Sequence, residues 1–184
     1  MERLKKLAVI LELADKLKKK GSWCGETHLQ KTLYFLQEMA KVPTGYEYIL
    51  YKHGPFSFDF RDEISSLISD RMMKLTPQPY PFGPSLETTE VSENFRSKFK
   101  VTLNKYCCSI NFLTEKLADE GVASLERLST ALYVFLKYSN PDQKVQAQKI
   151  VDLKPHVSFE KALAAVQELE SIRRQYDQVC NSEM

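Results

Sequence analysis

The side chains here that could do chemistry are three histidines, four cysteines and a few adjacent carboxylates. His28, His53 and His156 are far apart in sequence. None has a second histidine or cysteine three or four positions further on, the spacing that would set two metal ligands on one helix face. Cys107 and Cys108 are adjacent, which suits neither ordinary disulfide geometry nor a zinc knuckle, so all four cysteines are expected as reduced thiols. Asp62-Glu63 is a carboxylate pair on a helix turn, where a solvated face is expected rather than acid–base work. The six glycines are dispersed and build no phosphate-cradling loop. His53 is the best placed of these groups, because a neutral imidazole before a turn can hold it with one nitrogen and stay reactive through the other. A hydrogen bond that fixes the turn is favoured over catalysis. The reading is a chain with no catalytic residues, no metal and no cofactor, and not an enzyme.

The elements that must position His53 follow from its surroundings. Tyr46 to Tyr51 is a run of aromatic and branched residues without a breaker, and reads as a strand. Gly54-Pro55 is expected to stop it, since Pro55 has no N–H for a ladder and pushes Gly54 out of the α region. Ser57 is a candidate N-cap, followed by Asp59, Asp62 and Glu63, whose charges suit the first turns of a helix. His53, Gly54, Pro55 and Ser57 are thus expected to form a structural turn converting strand into helix.

Three segments carry a family resemblance: Leu29-Gln30-Lys31-Thr32-Leu33-Tyr34-Phe35, Tyr51-Lys52-His53-Gly54-Pro55-Phe56-Ser57, and Leu153-Lys154-Pro155-His156. In these the chain resembles the YwgA-like family of uncharacterised bacterial proteins and, more distantly, the Panacea domain of SocA-type antitoxins. The resemblance implies a winged-helix-like N-terminal region. It also points to work done by holding another protein, as such antitoxins do.

The remaining elements come from periodicity. At 184 residues, 43% hydrophobic and 27% charged, the chain has the composition of a soluble globular protein and can bury a real core. Its longest apolar run, Leu7 to Leu11, is too short to span a bilayer, and no signal peptide is visible, so a cytoplasmic location without membrane association is expected. Residues 2–20 form an amphipathic helix with seven basic against three acidic residues, and Lys18-Lys19-Lys20 sits at its C-terminal end before Gly21. A second helix over 27–40 turns Leu29, Leu33, Leu36 and Met39 inward and Gln30, Lys31, Gln37 and Glu38 outward. The helix after Ser57 buries Phe60, Ile64, Leu67 and Ile68. Met72–Leu75 and Leu86–Thr89 are short strands flanking a proline-rich loop, which makes a wing. Helices are then expected over 92–108, 111–120, 124–137, 143–151 and 158–179, the last carrying a continuous apolar stripe. The fold class is mainly α with a small β-sheet. Residues 1–90 form the winged-helix-like region and 91–184 a helical half packed on it, in a single compact unit.

Net charge of +2 is far below the footprint of a dedicated nucleic-acid binder. The helix after Ser57 carries Asp59, Asp62, Glu63 and Asp70 against Arg61 alone, which would repel phosphates. The loop between the wing strands instead alternates Pro79, Tyr80, Pro81 and Phe82, a rigid aromatic display with little entropy left to lose on binding. These four residues are the candidate protein-binding site, with Tyr80 and Phe82 as anchors and the partner unnamed. The competing reading is a DNA-binding regulator using the basic first helix and the wing.

Overall fold

The computed structural model describes residues 1–79 and 83–180. The described chain is mainly helical, with two small antiparallel sheets of two strands each. It divides into two compact units: Met1–Tyr48 with Ser57–Glu120, and Ile49–Phe56 with Gly121–Met184, of which 121–180 are described. The division expected after residue 90 and the observed one therefore fall at different places. A short segment from the first half of the sequence belongs to the C-terminal unit.

In the N-terminal unit, α1 spans Arg3–Lys19 and buries Leu7, Leu11, Ala14 and Leu17 at helical spacing. Gly21 ends it at φ +87°, letting the Ser22 N–H reach back to the Leu17 carbonyl at 3.0 Å. Helix α2 is Glu26–Glu38 and α3 is Phe58–Ser69. Ser57 caps α3 as expected, its hydroxyl accepting from the Phe60 N–H at 3.3 Å. Gln30 and Lys31, expected on the outer face of α2, are instead 0% and 1% exposed. The reason for Gln30 is specific: its side-chain amide donates to the Ser57 carbonyl at 2.9 Å and accepts from the Ser57 N–H at 3.2 Å. One glutamine thereby satisfies both backbone groups of the residue that starts α3.

The C-terminal unit holds a hairpin that the sequence reading did not foresee. Of the strand expected over Tyr46–Tyr51, only β1, Ile49–Tyr51, is paired as a strand. Gly54-Pro55 does not terminate the sheet. It opens β2, Gly54–Phe56, which returns antiparallel with Ile49 opposite Phe56 and Tyr51 opposite Gly54. Pro55 is tolerated because alternate N–H groups of a hairpin strand point away from the partner, so a two-stranded sheet has positions where none is needed.

Strands β3, Met73–Thr76, and β4, Ser85–Thr88, pair antiparallel within the N-terminal unit, one residue displaced from the expected ends. Beyond them the single helix expected over 92–108 is broken. It becomes α4 (Glu90–Ser97), α5 (Lys100–Lys105) and α6 (Cys107–Leu117). Helix α4 starts earlier than the periodicity suggested, because Thr89 and Ser92 form a reciprocal capping box. The breaks fall at Phe99 (ψ +27°) and Tyr106 (ψ +10°), aromatics whose backbone leaves helical values. In the C-terminal unit α7 (Val122–Tyr138), α8 (Gln143–Leu153) and α9 (Phe159–Cys180) pack on one another through Leu128, Leu132, Ile150, Val166 and Leu169.

Candidate functional site

The local chain geometry that presents His53 comes from Gly54. Lys52-His53 forms the turn, and Gly54 takes φ +87° where the turn rejoins its return strand, a conformation that side chains resist. Gly54 also lies hard against α7. A Cβ there would stand 3.0 Å from Ser129 Oγ, 3.2 Å from Thr130 Oγ1 and 3.4 Å from the Glu126 carbonyl oxygen. Both hydroxyls are turned onto α7 itself, donating to the Glu126 carbonyl at 3.1 Å and 2.7 Å. The glycine is required twice over, by backbone conformation and by close approach.

Glu126 is the hub of this region. Its side chain is 9% exposed, and three cations or potential cations converge on it. His53 Nδ1 is 3.5 Å from Oε2, while His156 Nε2 and Lys154 Nζ are 3.2 Å and 3.7 Å from Oε1. Lys154 comes from the end of α8, where Pro155 stops the helix, and its own side chain is only 7% exposed. Its ammonium donates to the Tyr51 carbonyl and, at 2.7 Å, to the Lys52 carbonyl. A buried lysine thus holds two backbone acceptors of the hairpin turn, and Glu126 supplies the countercharge. Burial lowers the Lys154 pKa from its ordinary 10.5, and the Glu126 carboxylate works in the opposite direction.

Chemically, this is a buried carboxylate between two imidazoles whose side chains are 59% and 61% exposed. Each imidazole meets a different carboxylate oxygen, so the three groups do not share one centre. Among the described residues no cluster of histidine, cysteine, aspartate and glutamate has metal-binding geometry. Oε1 makes no well-aligned hydrogen bond despite its two near neighbours, so its interactions there are electrostatic. The neighbouring hydroxyls of Ser129 and Thr130 are occupied by a helix carbonyl. Of this cluster, Lys154 is the group that hydrogen-bonds the hairpin backbone.

The expected site residues separate accordingly. His53, Gly54 and Pro55 belong to the hairpin of the C-terminal unit, whereas Ser57 belongs to the N-terminal one. His53 Nδ1 lies 3.5 Å from a carboxylate oxygen of Glu126. His156, Lys154 and Glu126 were not singled out as a site. One signal was available: Glu126, Ser129 and Thr130 form a polar stripe at three- and four-residue spacing beside the apolar face of α7. Of the protein-binding candidates, Pro79 is exposed, and Tyr80, Pro81 and Phe82 lie outside the described residues.

The other reactive residue types are in structural use. His28 Nε2 donates to the Leu117 carbonyl at 2.7 Å, leaving Nδ1 to accept from Ser22 Oγ at 3.2 Å. Burial pushes the Cys24 thiol up to about 12 and makes it a poor nucleophile. Cys24 and Cys107 are free thiols. The expectation of four reduced cysteines fails, because Cys108 is disulfide-bonded.

The basic surface expected on α1 is neutralised within its own unit. Arg3 pairs with Glu63 at 2.7 Å, Lys5 with Glu2 at 3.0 Å and Lys16 with Glu12 at 3.5 Å. Lys18 pairs with Glu87 at 3.4 Å, Lys19 with Asp15 at 2.8 Å, and Lys20 with Glu115. Lys6 stands 4.2 Å over the Tyr46 ring. Such pairs add little stability at a surface, but they leave no unbalanced positive stripe. No family model, curated protein or solved structure matches the chain.

Proposed function

We propose that the chain is a non-enzymatic, cytoplasmic protein-binding module with an antitoxin-like or adaptor role, built on a winged-helix-like N-terminal scaffold. The observation that carries the reading is the β3–β4 hairpin. Its last pair is Thr76 with Ser85, and Pro77, Pro79, Gly83 and Pro84 of the connecting segment are exposed. Proline restricts the backbone and so lowers the entropy lost on binding, and the sequence between Pro79 and Gly83 supplies two aromatics, residue types that concentrate interface energy. Within the N-terminal unit the order α1, α2, α3, then the β3–β4 hairpin supports the winged-helix scaffold. The resemblance carried by the three sequence motifs points the same way. Pairing of the α1 cations with neighbouring acids counts against the DNA-binding alternative. Among the described residues no helix is long and apolar enough to cross a membrane.

The test compares the wild-type chain with the double variant Tyr80→Ala, Phe82→Ala, each tagged and recovered from native cells. One protein partner should accompany the wild type in near-stoichiometric amount and be lost from the variant, whose melting temperature stays the same. Retention of that partner by the variant would place the interface elsewhere. Tight binding of a random DNA duplex that weakens steeply between roughly 50 and 200 mM salt would overturn the reading in favour of a regulator.

A further inference from the structure

Within the C-terminal unit a pocket of about 220 Å³ opens between α7, the turn before α8, and α9. Phe135, Val166, Leu169 and Pro141 supply its apolar wall, and Arg173, Gln143, Gln146 and Glu170 its polar groups. The Arg173 guanidinium carbon lies 3.8 Å from the centre of the Phe135 ring. Stacking of this kind fixes the plane of the fork and leaves its N–H donors pointing outward along the edge. No hydrogen bond or ion pair to another described residue occupies those donors. This is unlike Arg174 next to it, which pairs with Glu170.

The other polar groups are largely accounted for. Gln143 Nε2 donates to Glu170 Oε2 at 2.5 Å and Gln146 Nε2 to the Asn140 carbonyl at 2.6 Å. The negative charge of Glu170 is thereby engaged by Gln143 and Arg174. Arg173 is left as the cationic group of the pocket that no acidic side chain among the described residues pairs with, while the first N–H groups of α8 are taken by the Asp142 carboxylate at 2.7 Å and 3.2 Å.

We propose that this pocket binds a small monocarboxylic acid, its carboxylate held by the edge of Arg173 and its apolar body against Phe135, Val166 and Leu169. An oriented guanidinium is the side chain best matched to a carboxylate, since its parallel N–H donors meet both oxygens. The volume sets the size of the ligand. It is below the range of roughly 300–1,000 Å³ typical of drug-sized sites, so the body is that of a branched short-chain or single-ring acid. The inference does not depend on the protein-binding reading, and its test uses different residues.

The test is an amide NMR titration of the full chain with sodium benzoate and sodium isovalerate, with benzamide and isovaleramide as uncharged counterparts. Saturable shifts are expected at residues 139–143 and around Arg173, from at least one of the acids and from neither amide. Arg173→Met should weaken that binding at least tenfold without changing the melting temperature, and Arg173→Lys should restore only part of it. Absence of saturable shifts with both acids, equal shifts with the amides, or undiminished binding by Arg173→Met would each overturn the proposal.

Discussion

Replacing Gly54 by valine should be among the most damaging single substitutions in the C-terminal unit. The glycine sits at φ +87°, and a left-handed backbone costs an L-residue roughly 1–2 kcal/mol before any contact is considered. The new Cβ would then meet Ser129 Oγ at 3.0 Å and Thr130 Oγ1 at 3.2 Å, with the Glu126 carbonyl oxygen 3.4 Å away. Both hydroxyls are hydrogen-bonded to that carbonyl, so they can yield only by giving up bonds worth roughly 0.5–1.5 kcal/mol each. The total is about 2–5 kcal/mol, with Gly54→Ala near the lower end because it lacks the two γ-methyl groups. Urea unfolding followed by far-UV ellipticity measures this directly. Trp23, the single tryptophan, lies in the N-terminal unit and reports separately on that half. Adding Ser129→Ala to Gly54→Ala should recover part of the loss, since the nearest obstructing atom is then gone. A Gly54→Val midpoint equivalent to within about 0.5 kcal/mol of wild type would refute both the strained turn and its seating against α7.

Other consequences follow from buried polar groups. Tyr48 Oη is buried with no hydrogen-bond partner among the described residues, so Tyr48→Phe should be neutral or stabilising by up to about 1 kcal/mol, read from the thermal midpoint. Burial also raises the pKa values of Tyr46 and Tyr48 above their ordinary 10.0. Their stabilising contribution is therefore complete below pH 10 and is lost as pH rises beyond it, and the Tyr46→Phe, Tyr48→Phe variant should lose much of that alkaline sensitivity. Arg96 donates to Glu12 at 2.6 Å and to Asp15 at 2.9 Å, so Arg96→Met should destabilise by about 1–3 kcal/mol in urea titrations. Burial alone would raise the Asp15 pKa, but Lys19 and Arg96 outweigh it and hold it below its ordinary 3.8. That stability is present at neutral pH and lost as pH falls below about 4, a dependence that Arg96→Met should reduce. His53→Gln should cost under about 1 kcal/mol, because the imidazole is mostly exposed and its contact with Glu126 is 3.5 Å.

Much of the fold was legible where the cause is local. Helices α1, α3 and α9 follow from apolar spacing together with Gly21, the Ser57 cap and the Ser158 cap, whose hydroxyl accepts from the Lys161 N–H at 3.4 Å. The β3–β4 pair was readable because proline forbids central pairing of the segment between. What failed depends on partners distant in sequence. Gly54-Pro55 reads locally as a stop, and it becomes a return strand because α7 and Lys154 receive it. Lys154 and the Tyr51 carbonyl it holds are 103 residues apart. No periodicity reports such a meeting, and neither Glu126 nor His156 carries a motif of its own. Gln30 was misplaced for a similar reason: an amide can be interior if one backbone residue offers it both a donor and an acceptor. The broken helix over 92–108 contains no glycine or proline at Phe99 or Tyr106 that would have marked the break.

Glu126 and Lys154 fasten the hairpin 49–56 rather than form a reactive centre. Amide hydrogen exchange of the wild-type chain, Glu126→Gln and Lys154→Met addresses it residue by residue. In both variants the protected amides of 49–54 and Phe56 should exchange about tenfold faster or more, the equivalent of roughly 1.4 kcal/mol of lost local stability, while those of α1 and α2 keep their wild-type rates. Unchanged hairpin exchange in both variants would contradict it, most sharply if Glu126→Gln then abolished the protein's cellular function.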